Sequence, residues 1–197
     1  MLLFFPLLAA VFDRTGEAEL VHRLKSREPQ AMADFYDRYG RMTYALIFRM
    51  VRNTAAAEDL VQETFLRIWN RVQAFDAEKG ALGPWVLTVA RNRAIDYIRS
   101  VDGRMAQNTF ELEKLEQPAI FKGFDNDILN LDRVKMLKAA FEKLTPNQRV
   151  ALELAYYEGL SQSEMAERMQ QPLGTVKTWV RTALKTLKEQ LSEAATA

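Results

Sequence analysis

The chain has 197 residues, with 27 Lys and Arg against 26 Asp and Glu, one His and no Cys. The length suits one large domain or two small ones, and 48% apolar with 27% charged residues describes a folded chain rather than a disordered one. The absence of Cys excludes disulfide scaffolds, thiolate zinc sites, iron–sulfur clusters and a Cys nucleophile; a lone His22 excludes multi-His metal sites; and eight Gly without a Gly-rich run leave no phosphate-binding loop of recognised spacing. No cofactor is expected.

The net charge of +1 is unevenly spread. Asp13 to Gly103 holds 14 basic and 13 acidic residues, Arg104 to Asp132 holds 3 and 6, and Arg133 to the end holds 10 and 7, for net charges of +1, −3 and +3. An acidic middle between two mildly basic ends predicts two modules and a connector. So weak a basicity also argues against tight, non-specific duplex binding by the chain alone.

Met1 to Phe12 is apolar and contains Pro6. It is too short to cross a bilayer as a helix and lacks the basic residues that open a secretory signal. It is expected to fold onto the first domain or to fray; an in-plane membrane contact and a start placed too far upstream are the alternatives. No other run is apolar enough to span, so no stable membrane insertion and a cytoplasmic location are expected.

The remainder reads as helix nearly throughout, with no sustained period-two alternation. Glu17 to Arg27 is a short amphipathic helix ended before Pro29. From Gln30 to about Val51, the residues Phe35, Tyr39, Met42, Leu46 and Met50 recur every three or four positions as one buried stripe. Asn53-Thr54 offers an N-cap to a helix that buries Leu60, Val61, Thr64, Ile68 and Val72 and runs to about Gln73. A polar loop, Ala74 to Gly83, comes next. Pro84 suits a first helical position, and that helix runs to about Arg99. Residues 101–130 lack periodicity and read as a linker, with a short helical piece around Glu111 to Glu116.

A second helical domain follows. Leu131 to Leu144 buries Val134, Leu137, Ala140 or Phe141, and Leu144. Thr145-Pro146-Asn147-Gln148 is a capping box, its helix ends near Tyr157, and Gly159 suits the C-cap. Ser161 and Glu164 form a second capping box. Gln171 and Pro172 separate a short helix, Gln162 to Met169, from a last one reaching about Leu191. The fold class expected is all-α: an N-terminal helical bundle and a C-terminal helix-turn-helix domain joined by a flexible linker. The boundaries are an extension at 1–16, a bundle at 17–100, a linker at 101–130, the helix-turn-helix at 131–191 and a tail at 192–197.

Three faces exceed the needs of a core. The last helix buries Val176, Val180, Ala183 or Leu184, and Leu187, and leaves Lys177, Thr178, Arg181, Thr182 and Lys185 outward. Trp179 lies at the boundary. A recognition helix needs this division, since the buried stripe fixes its angle and the outer residues reach base edges; the alternative is a helical hairpin with a solvated basic face. Asp59, Gln62, Glu63 and Leu66 fall at i, i+3, i+4 and i+7, an acidic-amide face with an apolar spot that suits a basic protein surface. The alternative is an ordinary solvated face. Asn92, Asp96 and Arg99 share a face beside Arg91 and Arg93, next to a loop bearing Phe75, Lys79 and Trp85. Cations for phosphates and rings for bases suit single-stranded nucleic acid; the alternative keeps Phe75 and Trp85 in the core and leaves the Arg residues merely solvated.

Together the segments Asp59-Leu-Val-Gln-Glu-Thr-Phe-Leu-Arg-Ile-Trp69 and Trp85-Val-Leu-Thr-Val-Ala-Arg-Asn-Arg-Ala-Ile-Asp-Tyr-Ile-Arg99 resemble region two of a bacterial RNA polymerase sigma factor. Leu144-Thr-Pro-Asn-Gln-Arg149, Tyr157-Glu-Gly-Leu-Ser161 and Gly174-Thr-Val-Lys-Thr178 resemble region four. No region three fits between them, which is similar to the extracytoplasmic-function class. The resemblance implies a promoter-recognition subunit without enzymatic activity. Asp59, Gln62, Glu63 and Leu66 would dock on the clamp helices of the largest subunit of core polymerase. Phe75, Asp76, Lys79, Arg91, Asn92, Arg93, Asp96 and Arg99 would open the −10 element and hold its non-template bases as a single strand. Lys177, Thr178, Trp179, Arg181, Thr182 and Lys185 would read the −35 element as duplex; Trp179 departs from the basic residue frequent there. The family threads its acidic linker through the RNA exit path, and an anti-sigma factor is an implied partner. A stand-alone helix-turn-helix regulator that dimerises on a palindrome is the alternative function. An enzyme using Asp59 and Glu63 as metal ligands or as acid and base finds no convergent third group.

Overall fold

The computed structural model describes Phe12, residues 14–102 and residues 131–193. They form two compact units, taken here one at a time. The expected linker, its helical piece at Glu111 to Glu116, and the segment before Phe12 lie outside the described residues.

The N-terminal unit holds α1 (Glu17–Lys25), α2 (Pro29–Val51), α3 (Thr54–Arg71) and α4 (Leu82–Asp102), with a 3-10 turn at Val72–Ala74 after α3. Pro29 opens α2, where its missing N–H has no intrahelical partner to lose. Arg52, at φ 51°, reverses the chain after α2. Asn53 then caps α3, its side-chain oxygen accepting from the Ala56 N–H at 2.9 Å. Helix α2 packs on both α3 and α4, α3 also packs on α4, and α1 crosses α2 and the 3-10 turn. Periodicity placed the core well: Phe35, Tyr39, Met42 and Leu46 of α2 are buried, as are Leu60, Val61, Thr64 and Ile68 of α3, while Met50 is only half-buried. Phe35 meets Tyr39 and Phe65 at ring separations of 5.4 and 4.9 Å, and each such fully buried ring removes enough apolar surface from water to contribute about 1.5–3 kcal/mol.

One boundary differs from expectation. Helix α4 begins at Leu82, two residues before Pro84, and extends to Asp102. Pro84 still falls within the first turn, where a missing N–H costs nothing. Ala81, Leu82, Gly83 and Pro84 are all buried, so the open part of the loop is shorter than its polarity suggested. An outside residue explains the earlier start: the Glu17 carboxylate accepts the Leu82 N–H and so serves as the missing cap from 65 positions away.

The C-terminal unit holds α5 (Leu131–Glu142), α6 (Pro146–Tyr156), α7 (Gln162–Arg168) and α8 (Leu173–Glu193). Both capping boxes form as read, at Thr145 with Gln148 and at Ser161 with Glu164. Helix α5 stops at Glu142 rather than Leu144, and Arg149 secures the corner by donating to the carbonyls of Leu144 and Glu142 at 3.0 and 2.8 Å. Gly159 adopts φ 65°, the left-handed conformation its place after α6 required. Helix α8 packs across α5, α6 and α7. Its Val176 and Val180 close a core with Ala151, Leu154, Ala155 and Met165, and Leu137, Ala140, Phe141, Leu144, Ala183 and Leu187 are buried as well. The side chain of Val134 lies outside the described residues.

Candidate docking and nucleic-acid faces

Helix α3 separates cleanly into two sides. Leu60, Val61, Thr64, Phe65 and Ile68 are buried, whereas Asp59, Gln62, Glu63 and Leu66 are all exposed. Leu66 is 59% exposed, the most open of the large apolar side chains among the described residues. Tyr36 of α2, 46% exposed, leans its ring on Phe65 at 4.9 Å and so borders this face. Glu63 is tied to Arg93 of α4, which also lies 4.0 Å from Asp96. Sequence spacing pairs Arg93 only with Asp96; the Glu63 contact, 30 positions away, appears only once α3 and α4 pack side by side.

The second face divides differently from expectation. Asn92, Asp96 and Arg99 stand exposed on α4, and Arg93 is half-buried beside them. Arg91 is buried, so it does not belong to an open cationic surface. Phe75 is buried too, its ring 5.0 Å from that of Trp85. A buried ring offers no platform to a base, so Phe75 serves the core, with the half-buried Trp85 packed against it. Asp76 and Lys79 do lie on the loop surface, paired at 2.9 Å, and Asp76 also accepts the Glu78 N–H at 3.0 Å. The Lys79 hydrogen bond, then that from Glu78, hold the Asp76 carboxyl below its ordinary range, and Asp76 raises Lys79 in return.

Four residues that no motif singled out fasten this loop. Lys25 Nζ donates to the Phe75 carbonyl at 2.8 Å, and Gln73 Nε2 donates to the Lys25 carbonyl at 2.6 Å. Arg27 Nη1 donates to the Trp69 carbonyl at 2.5 Å while its guanidinium sits 4.7 Å from the Trp69 ring centre. Glu17, buried, holds Leu82 at the other end and accepts from Arg14 Nε at 3.0 Å. These contacts join residues 42 to 65 positions apart, beyond the reach of any local pattern.

In the C-terminal unit Lys177, Thr178, Arg181, Thr182 and Lys185 are exposed on α8, opposite its buried stripe. The Thr178 hydroxyl donates to the Gly174 carbonyl at 2.9 Å, which leaves its methyl and oxygen lone pairs outward, and Lys185 lies 3.6 Å from Glu189. Trp179 is half-buried and packs on the core around Met165 and Val176, so its ring sets the seat of α8. The turn before α8 passes through Gln170, at φ 52°, and Pro172, whose carbonyl accepts from the Thr175 and Val176 N–H groups. A short helix, a tight turn and a second helix with an exposed cationic side define a helix-turn-helix DNA-binding module.

The comparisons with known proteins match this layout. The Sigma-70 region 2 family matches residues 35–104 and the Sigma-70 region 4 family matches residues 135–187. The chain is 32% identical over 173 residues to the ECF RNA polymerase sigma factor SigK of Mycobacterium tuberculosis, covering 87% of this chain and 91% of that one. It is 28% identical to the SigK of Mycolicibacterium vanbaalenii over 190 residues, 96% and 93% of the two chains. Among solved structures, Rhodobacter sphaeroides SigE in complex with the anti-sigma ChrR matches over 90% of this chain and 98% of that chain, with 22% identity and a TM-score of 0.47. The chain belongs to the extracytoplasmic-function class of RNA polymerase sigma factors. It therefore directs promoter-specific transcription initiation, with RNA polymerase and promoter DNA as its partners, and its class consists of initiation factors rather than enzymes in general. Among the described residues no helix is long and apolar enough to cross a membrane.

Proposed function

We propose that the three exposed faces divide the work of initiation. Asp59, Gln62, Glu63 and Leu66 dock on the clamp helices of the largest polymerase subunit. The loop with Asp76 and Lys79, together with Asn92, Arg93, Asp96 and Arg99, opens the −10 element and holds its non-template strand. Lys177, Thr178, Arg181, Thr182 and Lys185 read the −35 duplex, with Trp179 seating their helix. Domain limits at 17–100 and 131–191 follow from the same reading, except that α4 carries the first domain through Asp102 and leaves residues 103–130 as the tether.

The observation that carries it is the outer side of α3: three polar residues and a 59% exposed Leu66 on a helix whose other side is fully used in the core. A merely solvated face gains nothing from Leu66, whereas a docking face does. The −35 assignment is supported by Arg181, exposed on α8 opposite the buried stripe; one bidentate guanidinium–guanine contact contributes about 1–3 kcal/mol of discrimination. The spacing is physically workable. Elements about 25 base pairs apart lie about 85 Å apart, and 28 residues of tether reach about 90 Å when drawn out. An anti-sigma factor that silences the chain would have to cover the face that docks on polymerase or the faces that meet DNA.

The test is transcription from purified core polymerase on a promoter library, with and without the full chain. Initiation is expected on a subset of asymmetric, bipartite templates only when the chain is present. The paired substitution Asp59→Ala with Glu63→Ala is expected to abolish core binding with an unchanged circular dichroism spectrum, and unchanged core affinity refutes the docking assignment. Tight binding to a palindrome without polymerase would favour a stand-alone regulator.

A further inference from the structure

We infer that α1 is a brace that holds the loop between α3 and α4 in the shape needed to capture single-stranded DNA, with Glu17, Lys25 and Arg27 as positioning residues; the inference rests on the assignment of that loop to the −10 strand. Both ends of the loop are fastened to the same nine-residue helix or the turn after it. At the α3 end, Lys25 Nζ holds the Phe75 carbonyl at 2.8 Å, Gln73 Nε2 returns a bond to the Lys25 carbonyl at 2.6 Å, and Arg27 caps the Trp69 carbonyl. At the α4 end, the buried Glu17 carboxylate takes the Leu82 N–H, the first of the helix. Phe12 adds a wedge beside it: its buried ring lies against Gly83 so closely that a Cβ there would collide with it. Between the two anchors the loop is cross-linked to itself around Asp76, which pairs with Lys79 and accepts the Glu78 N–H.

The chemistry explains why such a brace matters. A base drawn out of the stack loses its neighbours, and the receiving surface must offset that loss. A loop that has to order itself at the same moment loses conformational entropy as well. A loop already fixed by charge-assisted hydrogen bonds at both ends avoids the second cost. Glu17, Lys25 and Arg27 lie before residue 35, where the match to Sigma-70 region 2 begins, so the brace is a contribution of the preceding segment to that region's strand.

The experiment uses the full chain, alone and assembled with core polymerase. Lys25→Met keeps the aliphatic stem and removes the donor; Lys25→Arg restores a donor; Gln73→Ala, at an exposed position, tests the reciprocal bond without touching the core. The probe is a single-stranded oligonucleotide carrying the −10 sequence of a promoter recovered from the library. Lys25→Met holoenzyme is expected to bind it about three- to tenfold more weakly, with core affinity and −35 duplex affinity within about twofold of the parent. Lys25→Arg is expected to recover most of the loss. In the free chain, amide exchange at residues 75–82 is expected to quicken in Lys25→Met and Gln73→Ala while α2 and α3 stay protected. Unchanged exchange at 75–82 in both variants overturns the brace. Should Lys79→Ala weaken strand binding while Lys25→Met does not, the brace is refuted and the loop assignment stands. Should Lys79→Ala and Asn92→Ala both leave strand binding unchanged, the loop assignment itself fails, and the brace as stated falls with it.

Discussion

Replacing Leu66 by Ala separates docking from folding, and the size of its effect can be worked out beforehand. Leu66 is 59% exposed. On a side chain of about 140 Å² this leaves about 80 Å² open to water, of which about 55 Å² belongs to atoms that Ala lacks. Burying that area against polymerase contributes about 1.4 kcal/mol, so its removal raises the dissociation constant for core about tenfold. Stability should barely move. The side chain lies outside the core, and Ala is at least as good a helix former, so the change stays within about 0.5 kcal/mol. Its neighbour Phe65 supplies the contrast. That ring is 2% exposed and meets Phe35 and Tyr36, so Phe65→Ala should cost about 3–5 kcal/mol of folding stability. The assay is titration of a fluorescently labelled chain with core polymerase, with thermal melts of each variant in parallel. A Leu66→Ala chain with a parental melt and a core affinity changed by less than twofold refutes the placement of the docking face on α3.

Other expectations follow from single contacts. Gly83→Ala should destabilise the N-terminal unit by about 1–3 kcal/mol, because the new methyl meets the Phe12 ring; in a Phe12→Ala background the same change should become a gain of about 0.5–1 kcal/mol from helix propensity, and equal penalties in both backgrounds in denaturant melts would refute the contact. Ser161→Ala should cost the C-terminal unit about 1 kcal/mol by removing the cap of α7, read as a lower melting temperature and weaker −35 duplex binding. Acidification tests two carboxylates whose folded values lie below the ordinary 3.8, Asp34 through Gln30 and then Arg23, and Asp76 through Lys79 and then the Glu78 N–H. A depressed carboxylate adds stability that is present above its unfolded value and lost as pH falls through the folded one, so stability should fall below about pH 3.8. Asp34→Asn and Asp76→Asn should flatten that acid limb in urea melts, and an unchanged limb counts against both pairs.

The order and type of the elements could be read directly because each is written in local signals. The Asn53 cap and the two capping boxes each lie within about one helical turn, the stripe from Phe35 to Leu46 within about three, and all form. The errors share a cause. Pro84 was placed at a first helical position because proline is common there, but Glu17, a residue distant in the chain, caps Leu82 and lets α4 begin earlier. Phe75 and Arg91 suit a surface by their chemistry and by the family resemblance, yet both are buried. Ring and guanidinium serve a core or a nucleic acid equally well, and only packing against Trp85 decides the case for Phe75.

The faces that did come out whole explain the rest. Asp59, Gln62, Glu63 and Leu66 share a helix, as do Lys177, Arg181 and Lys185, so helical periodicity alone sorts them outward once the buried stripe is known. A face built across helices has no such code. Arg93 illustrates the difference: its i+3 partner Asp96 could be read from spacing, yet the contact at 4.0 Å is the looser of its two, and the closer one reaches Glu63 on α3. This pair also links the face assigned to polymerase with the face assigned to the single strand. On the assignment proposed above, a docking partner that drew Glu63 away would leave Arg93 to the DNA side, and Glu63→Gln is expected to strengthen single-strand binding by the free chain; unchanged strand binding refutes that link. A near-neutral chain with a net charge of +1 gains little from long-range attraction to DNA, so its promoter contacts rest on the few cations each face presents.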